Sequence, residues 1–294
     1  MDNRKQDLPS GAVDFDAELA VLADSAVFYH RSREAAAAGS TPEELVGKAF
    51  ERAAAIADEA ERGAKAKHVT ACRKGCAWCC HQNVLVSAAE VFYLARWLRT
   101  HLSAGDLLAL TEHAQASATQ LRGRPQPERA RARIACALLD TLTGACRVHE
   151  ARPLLCRGQL SVSAQTCQRA VESPGENRFQ PLLDAIHGAR LASMSLELEF
   201  AYFGGGPVSG ELTAMLAVAL TDPTAEARWS RGENPFPRHN EFSTHLNSRL
   251  ARMLAVAWAG LRGEQHEDAG ETVDVHAAAM KFLRQATGAD EPLH

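Results

Sequence analysis

Apolar residues along this chain recur three and four positions apart, the period of one helix face, and strict alternation is scarce. Thr41-Pro42-Glu43-Glu44 combines an N-cap, a proline in the first turn and a capping-box glutamate, which predicts a helix over 42–62 with Gly63 as its stop. Upstream, Phe15, Leu19, Leu22, Ala26 and Tyr29 form another helical stripe. Ser87-Ala88-Ala89-Glu90 is a second capping box and opens a helix over 88–101 whose inner face is Val91, Leu94, Ala95 and Leu98. The pattern repeats over 106–121 through Leu107, Leu108, Leu110, Ala114 and Ala118. RGRPQP at 122–127 cannot be helix interior and reads as a connector. Between 134 and 171 periodicity fades and Gly144, Pro153 and Gly158 intervene, which predicts loops and short elements. Helices return over 181–203, stopped by Gly204-Gly205-Gly206-Pro207, then over 210–220, 241–261 and 272–286, with breaks at Asp222-Pro223 and Asn234-Pro235-Phe236-Pro237. The helix over 241–261 starts behind Asn240 and turns Phe242, Leu246, Leu250, Met253, Leu254, Ala257 and Trp258 inward.

The fold class is therefore mainly α: a helical body with a cysteine-rich, loop-rich module. Three regions follow: N-terminal helices over 1–66, the cysteine module over 67–170 and a C-terminal helical region over 171–294. The 294 residues are 46% hydrophobic and 23% charged with a net charge of -4, values that exclude disorder and collagen. The longest apolar run, 212–220, is half of the roughly 20 residues that cross a bilayer, so no membrane association is expected. MDNRKQDLPS at the start has no apolar stretch behind it, which points away from a secretory signal and toward the cytoplasm.

Charge is unevenly placed. Residues 67–169 carry 14 basic and 6 acidic side chains, while 1–66, 170–262 and 263–294 are each net acidic. The basic segment is also the one that holds every cysteine. Nucleic-acid binding would call for a far more basic domain with aromatics placed for stacking, so no nucleic-acid partner is expected. Arginine and lysine compensating thiolates explain the coincidence better.

Cys72, Cys76, Cys79 and Cys80 fall within nine residues, CRKGCAWCC, where Gly75 permits a tight turn. Cys136, Cys146, Cys156 and Cys167 follow at long spacings, so the fold must bring them in. Disulfides suit neither a reducing compartment nor a chain of this length, and scattered core thiols do not cluster this way. Metal or cluster binding remains. Neighbouring side chains diverge, so Cys79 and Cys80 rarely serve one ion, and a polynuclear centre or two nearby sites is suggested. Arg152 and Arg157 flank Cys156, where a guanidinium would favour thiolate, although a salt bridge to Glu150 or Asp140 would explain them equally. His81 and His149 are optional nitrogen donors, and Trp78 could shield a centre or simply pack. Asp58, Glu59 and Glu61 read as a solvated helix face. Gly204–Gly206 lacks the Gly-Lys-Ser/Thr ending of a phosphate loop, and no serine–histidine–aspartate set can be assembled.

CRKGCAWCCHQ, SAAE at a helix start, CALLD, CRVHEARPLLCRG and a final Cys167 together resemble the YkgJ-type cysteine-cluster family, CxxCxxCC, whose members are described as zinc or iron chelators. The resemblance implies that Cys72, Cys76, Cys79, Cys80, Cys136, Cys146, Cys156 and Cys167 are all family positions, and that Arg152, Pro153 and Arg157 belong to its RP-x-x-C-R signature. Ala137 stands where the family often has proline, and His149 where it often has tyrosine. Thiolate-only ligation suits zinc, iron or a 4Fe-4S cluster alike. The expected function is a cysteine-ligated zinc- or iron-binding protein. An iron–sulfur oxidoreductase or modifying enzyme is one alternative; a zinc-stabilised module that binds a protein partner through its helical surfaces is another.

Overall fold

The computed structural model describes residues 32, 34–124, 126–174, 176–177, 179–200 and 208–236. The expected helices over 15–29, 241–261 and 272–286 and the glycine run at 204–206 lie outside these residues. Among the described residues helix dominates, in agreement with the mainly α expectation, and no helix is long and apolar enough to cross a membrane.

Helix α1 spans Pro42–Lys67, and its capping box forms as read: the Glu44 N–H donates to Thr41 Oγ1 at 3.3 Å and the Thr41 N–H to Glu44 Oε2 at 3.0 Å. It runs through Gly63 rather than stopping there. Ala64 beyond the glycine is fully buried, and Lys65 bridges back to Glu61, so packing on both sides carries the helix across one poor helix former. A 3-10 turn, Trp78–His81, leads to strand β1, Leu85–Ser87, and to α2, Ala88–His101, again behind the expected Ser87–Glu90 box. Helix α3, Ala104–Leu121, starts two residues early because Ser103 is the cap and Asp106 its third residue. The connector then ends sooner than expected: Gln126–Arg131 forms a short helix α4, with Pro127 in its first turn, where the missing N–H does no harm.

Strands β2, Leu139–Asp140, and β3, Ala145–Cys146, form a small antiparallel hairpin. Helices α5, Leu154–Arg157, and α6, Ala164–Glu172, complete the expected loop-rich stretch. Helix α7 covers Leu183–Phe200. Strand β4, Ser209–Glu211, pairs antiparallel with β1 and feeds directly into α8, Leu212–Thr221, before the short α9, Ala225–Ser230. This second two-stranded pairing was not expected, because three residues are too few to show a period of two.

One apolar core joins α1, α2, α7 and α8 through residues such as Phe50, Leu94, Leu98, Leu196 and Met215, and it extends to Leu138, Val148 and Leu154 of the cysteine-rich stretch. Phe50 stacks on Tyr93 at 4.0 Å, and Phe92 meets Trp229 and Phe236. Across the α1–α7 contact, Arg52 pairs with the buried Glu199 and donates to Ser195 Oγ at 2.9 Å.

Candidate metal centre

All eight cysteines are free thiols; Cys136 is buried and the others are half-buried. The loop 72–77 turns at Gly75, whose φ of 87° is left-handed, and the Cys76 N–H closes the turn on Arg73 O at 3.0 Å. Opposite it lies the β2–β3 turn. Gly144 has a φ of 68°, and a Cβ there would sit 2.7 Å from Gly75 O, so only glycine at 144 lets the hairpin touch the loop. Asp140 shapes that hairpin, accepting from Thr143 Oγ1 at 2.7 Å and the Leu142 N–H at 3.0 Å.

The thiols approach one another in two adjoining groups. Cys72, Cys76, Cys79 and Cys167 are close enough to perturb one another electrostatically. Cys80, Cys136, Cys146 and Cys156 form the second group, with Cys79 bordering it. The groups meet at the 3-10 turn, where the neighbouring thiols of Cys80 and Cys79 hydrogen-bond. Backbone contacts hold the framework: the Cys136 N–H donates to Cys80 O at 2.7 Å, the Ala71 N–H to Ser161 O at 2.8 Å, and the Ser161 N–H to Cys72 Sγ at 3.4 Å.

Burial and mutual repulsion govern the thiol chemistry. The hydrogen bond from Cys80, aided by Arg152, draws Cys79 down to about 7, while the same bond and burial drive Cys80 far up. Burial pushes Cys136 up to about 12 and also raises Cys72, Cys146, Cys156 and Cys167. Most of these thiols therefore hold protons near neutrality, and a thiophilic ion must displace them to bind.

The two signature arginines act as braces. Arg152 donates to Glu61 Oε2 at 3.0 Å and favours thiolate at Cys79, Cys146 and Cys156. Arg157 is held by Asp58 Oδ1 at 2.6 Å, the Glu150 carbonyl at 2.9 Å and the Arg152 carbonyl at 3.1 Å. The partners are thus Asp58 and Glu61 on α1, not the side chains of Glu150 or Asp140. Reading Asp58 and Glu61 as a solvated face is corrected on this point. Glu61 sits between Ala57 and Ala64 on the buried stripe, and that spacing was visible in the sequence.

Three further residues position cysteines without having been singled out for it. Glu90, fully buried, caps α2 and also accepts the Leu154 N–H at 2.8 Å, fixing the start of the helix that bears Cys156. Arg129, 1% exposed, joins Glu211 Oε1 at 2.5 Å and Asn83 Oδ1 at 2.8 Å, and both charges act on Cys136. Of the two histidines, His149 is exposed and His81 is half-buried beside Cys80.

The first group borders a small, partly open cleft. Cys72, Cys76, Cys79 and Cys167 line it with Trp78, Leu160, Phe179 and Pro181. Trp78 lines the cleft beside this group. Among the described residues no three His, Cys, Asp or Glu side chains are gathered tightly enough to chelate one ion as they stand. The donor chemistry nonetheless fits zinc or iron: only soft, reduced thiols converge, and no disulfide competes for them.

A helical scaffold presenting two adjoining thiol groups defines the class, a cysteine-rich module. Residues 71–172 match the model of the CxxCxxCC family, described as "Putative zinc- or iron-chelating domain". The stretch begins just before Cys72 and ends after Cys167, so the resemblance drawn from the cysteine spacing is borne out. No curated protein and no solved structure matches the chain.

Proposed function

We propose that residues 67–170 form a thiolate metal-binding module for zinc or iron, with Cys72, Cys76, Cys79, Cys80, Cys136, Cys146, Cys156 and Cys167 as its ligands. The helical regions 1–66 and 171–294 flank it. One observation carries this reading: eight reduced thiols from distant parts of the chain lie in two adjoining groups. An even spread of core thiols would not be bordered by paired arginines and a glycine-only contact that keep the groups together. The reading extends the family likeness to its YkgJ-type members and places the protein in the cytoplasm, where thiols stay reduced.

Bound zinc would supply a cross-link; iron, alone or in a 4Fe-4S cluster, would supply redox chemistry. This chain's own part is to hold the donors. Arg152 offsets thiolate charge, Glu90 and Arg157 fix the helix bearing Cys156, and Trp78 lines the cleft beside the first group. The cleft beside that group favours, as a second reading, a reacting centre in an oxidoreductase or modifying enzyme; a protein partner bound through the helical surfaces is the third.

Replacing single ligands tests the module. Cys76→Ser and Cys79→Ser are expected to lower the metal bound per chain, while His113→Ala, on the exposed side of α3, leaves it unchanged. Full occupancy in both cysteine variants would overturn the assignment.

A further inference from the structure

Large apolar side chains left in water are not spread evenly over the described residues. Val69, Leu108, Leu142, Val162 and Leu183 are the exposed ones, and all but Leu108 belong to segments that border the thiol cleft. Val69, 93% exposed, stands three positions before Cys72, Val162 next to Ser161, and Leu183 two positions after Pro181, and Cys72, Ser161 and Pro181 all line that cleft. The three segments are laced into one surface: the Ala71 N–H donates to Ser161 O and the Leu182 N–H to Leu160 O, each at 2.8 Å, and Lys67 Nζ reaches Asp184 Oδ2 at 2.7 Å. Leu142, 96% exposed, rides on the β2–β3 turn, whose Thr143 carbonyl and Gly144 lie against Gly75 of the loop 72–77. Between these segments the cleft offers an apolar floor of Trp78, Leu160, Phe179 and Pro181.

Single exposed apolar residues need no explanation, whereas several gathered round one depression mark a docking surface. The charges beside it define what docks. Arg73 and Lys74 are exposed on the loop 72–77 and form no ion pair among the described residues, while Asp184, next to Leu183, already holds Lys67. The matching occupant carries negative charge and apolar side chains at intervals. A flat anionic membrane would span the rim without entering the depression, and these apolar residues sit on separate loops rather than along one helix that would lie in a bilayer surface.

We propose that this rim is a docking surface for an acidic segment of a partner protein, whose apolar side chains pack on Val69, Val162 and Leu183 over the cleft while its carboxylates face Arg73 and Lys74. The inference is independent of the thiolate-metal reading, since none of these residues is a candidate ligand. It sets the partner beside Cys72, Cys76, Cys79 and Cys167, on loops around the cleft rather than on the flanking helical surfaces. Charge complementarity steers the encounter and makes it salt-dependent, and the apolar contacts hold the complex.

The test selects a phage-displayed library of random peptides on the immobilised full chain, then measures the enriched sequences, synthesised with a fluorescein label, by fluorescence anisotropy. The expected consensus has acidic residues spaced by apolar ones, and its binding weakens as salt rises. Val69→Ser with Val162→Ser, and separately Arg73→Glu with Lys74→Glu, should each weaken binding at least about tenfold, as for the anchors of an interface. Leu108→Ser on α3 should leave it unchanged. All of these side chains are exposed, so helical circular dichroism should be the same in every variant. No enrichment, enrichment of sequences without acidic residues, or binding indifferent to both double variants would overturn the proposal. A dimer in sedimentation velocity that the same variants disperse would also overturn it, by making the occupant a second copy. Co-sedimentation with phosphatidylserine vesicles that the variants abolish would do so by making it a membrane. Each of these results leaves the thiolate-metal reading intact.

Discussion

Glu90 shows how much one buried side chain can carry. Its carboxylate accepts from the Ser87 N–H and hydroxyl, the Ser193 hydroxyl and the Leu154 N–H, at 2.8 to 3.2 Å, so it ties α2, α5 and α7 together. Glu90→Ala strands these donors in the core, and a loss of about 3 kcal/mol in stability is expected from denaturant unfolding, since each orphaned group costs roughly 1–3 kcal/mol. A loss below about 1 kcal/mol would show that the network is not needed. Glu197 behaves differently. Burial and the neighbouring Glu90 raise it to about 7 from its ordinary value of 4.5, so the folded state keeps a proton that the unfolded chain releases. Its contribution to stability is full below the ordinary carboxylate range and declines as pH rises, until it is lost above about 7. Glu197→Gln should flatten that decline in unfolding midpoints taken across this range; an unchanged pH profile would contradict it. The sequence exposed Glu90 as a cap but not as an anchor for Leu154, because a hydrogen bond across 64 positions leaves no local trace.

At the scale of elements, the most legible parts were those with local causes. The boxes at Thr41 and Ser87 started α1 and α2 where the spacing placed them, because cap and helix are encoded within four residues. The β1–β4 pairing and α4 were missed, since partners 124 residues apart and a six-residue helix have no periodicity to read. The loop–hairpin contact at Gly75 and Gly144 lies between these cases. Gly75 was noted for its turn, whereas the need for Gly144 appears only when the loop and the hairpin meet. Gly144→Ala must accept a left-handed φ, costing about 1–2 kcal/mol, and push against the Gly75 carbonyl. The expected outcome is a lower melting temperature and faster labelling of Cys76 by iodoacetamide than in the wild type. Unaltered labelling would mean that the hairpin does not hold the loop.

Across the whole molecule, the cysteine-rich stretch is not a separate appendage: Leu138, Val148 and Leu154 share a core with α1, α2, α7 and α8, and Asp58 and Glu61 of α1 reach Arg157 and Arg152. The eight candidate ligands were legible by type and spacing, and their division into two groups was foreshadowed only by the consecutive Cys79 and Cys80. Which thiols fall together depends on the tertiary arrangement of β2, β3, α5 and α6, which no local pattern encodes. Because most of the thiols are held protonated, loading should release protons, and calorimetry in buffers of different ionisation enthalpy should register that release; a heat independent of buffer would contradict it. The most direct measurement is elemental analysis with a visible absorption spectrum on the full chain purified without oxygen. The account predicts zinc or iron bound in stoichiometric amount. Iron with sulfide and a broad band near roughly 400 nm identifies a cluster, and colourless zinc a closed thiolate site. Eight titratable thiols with neither metal would contradict it.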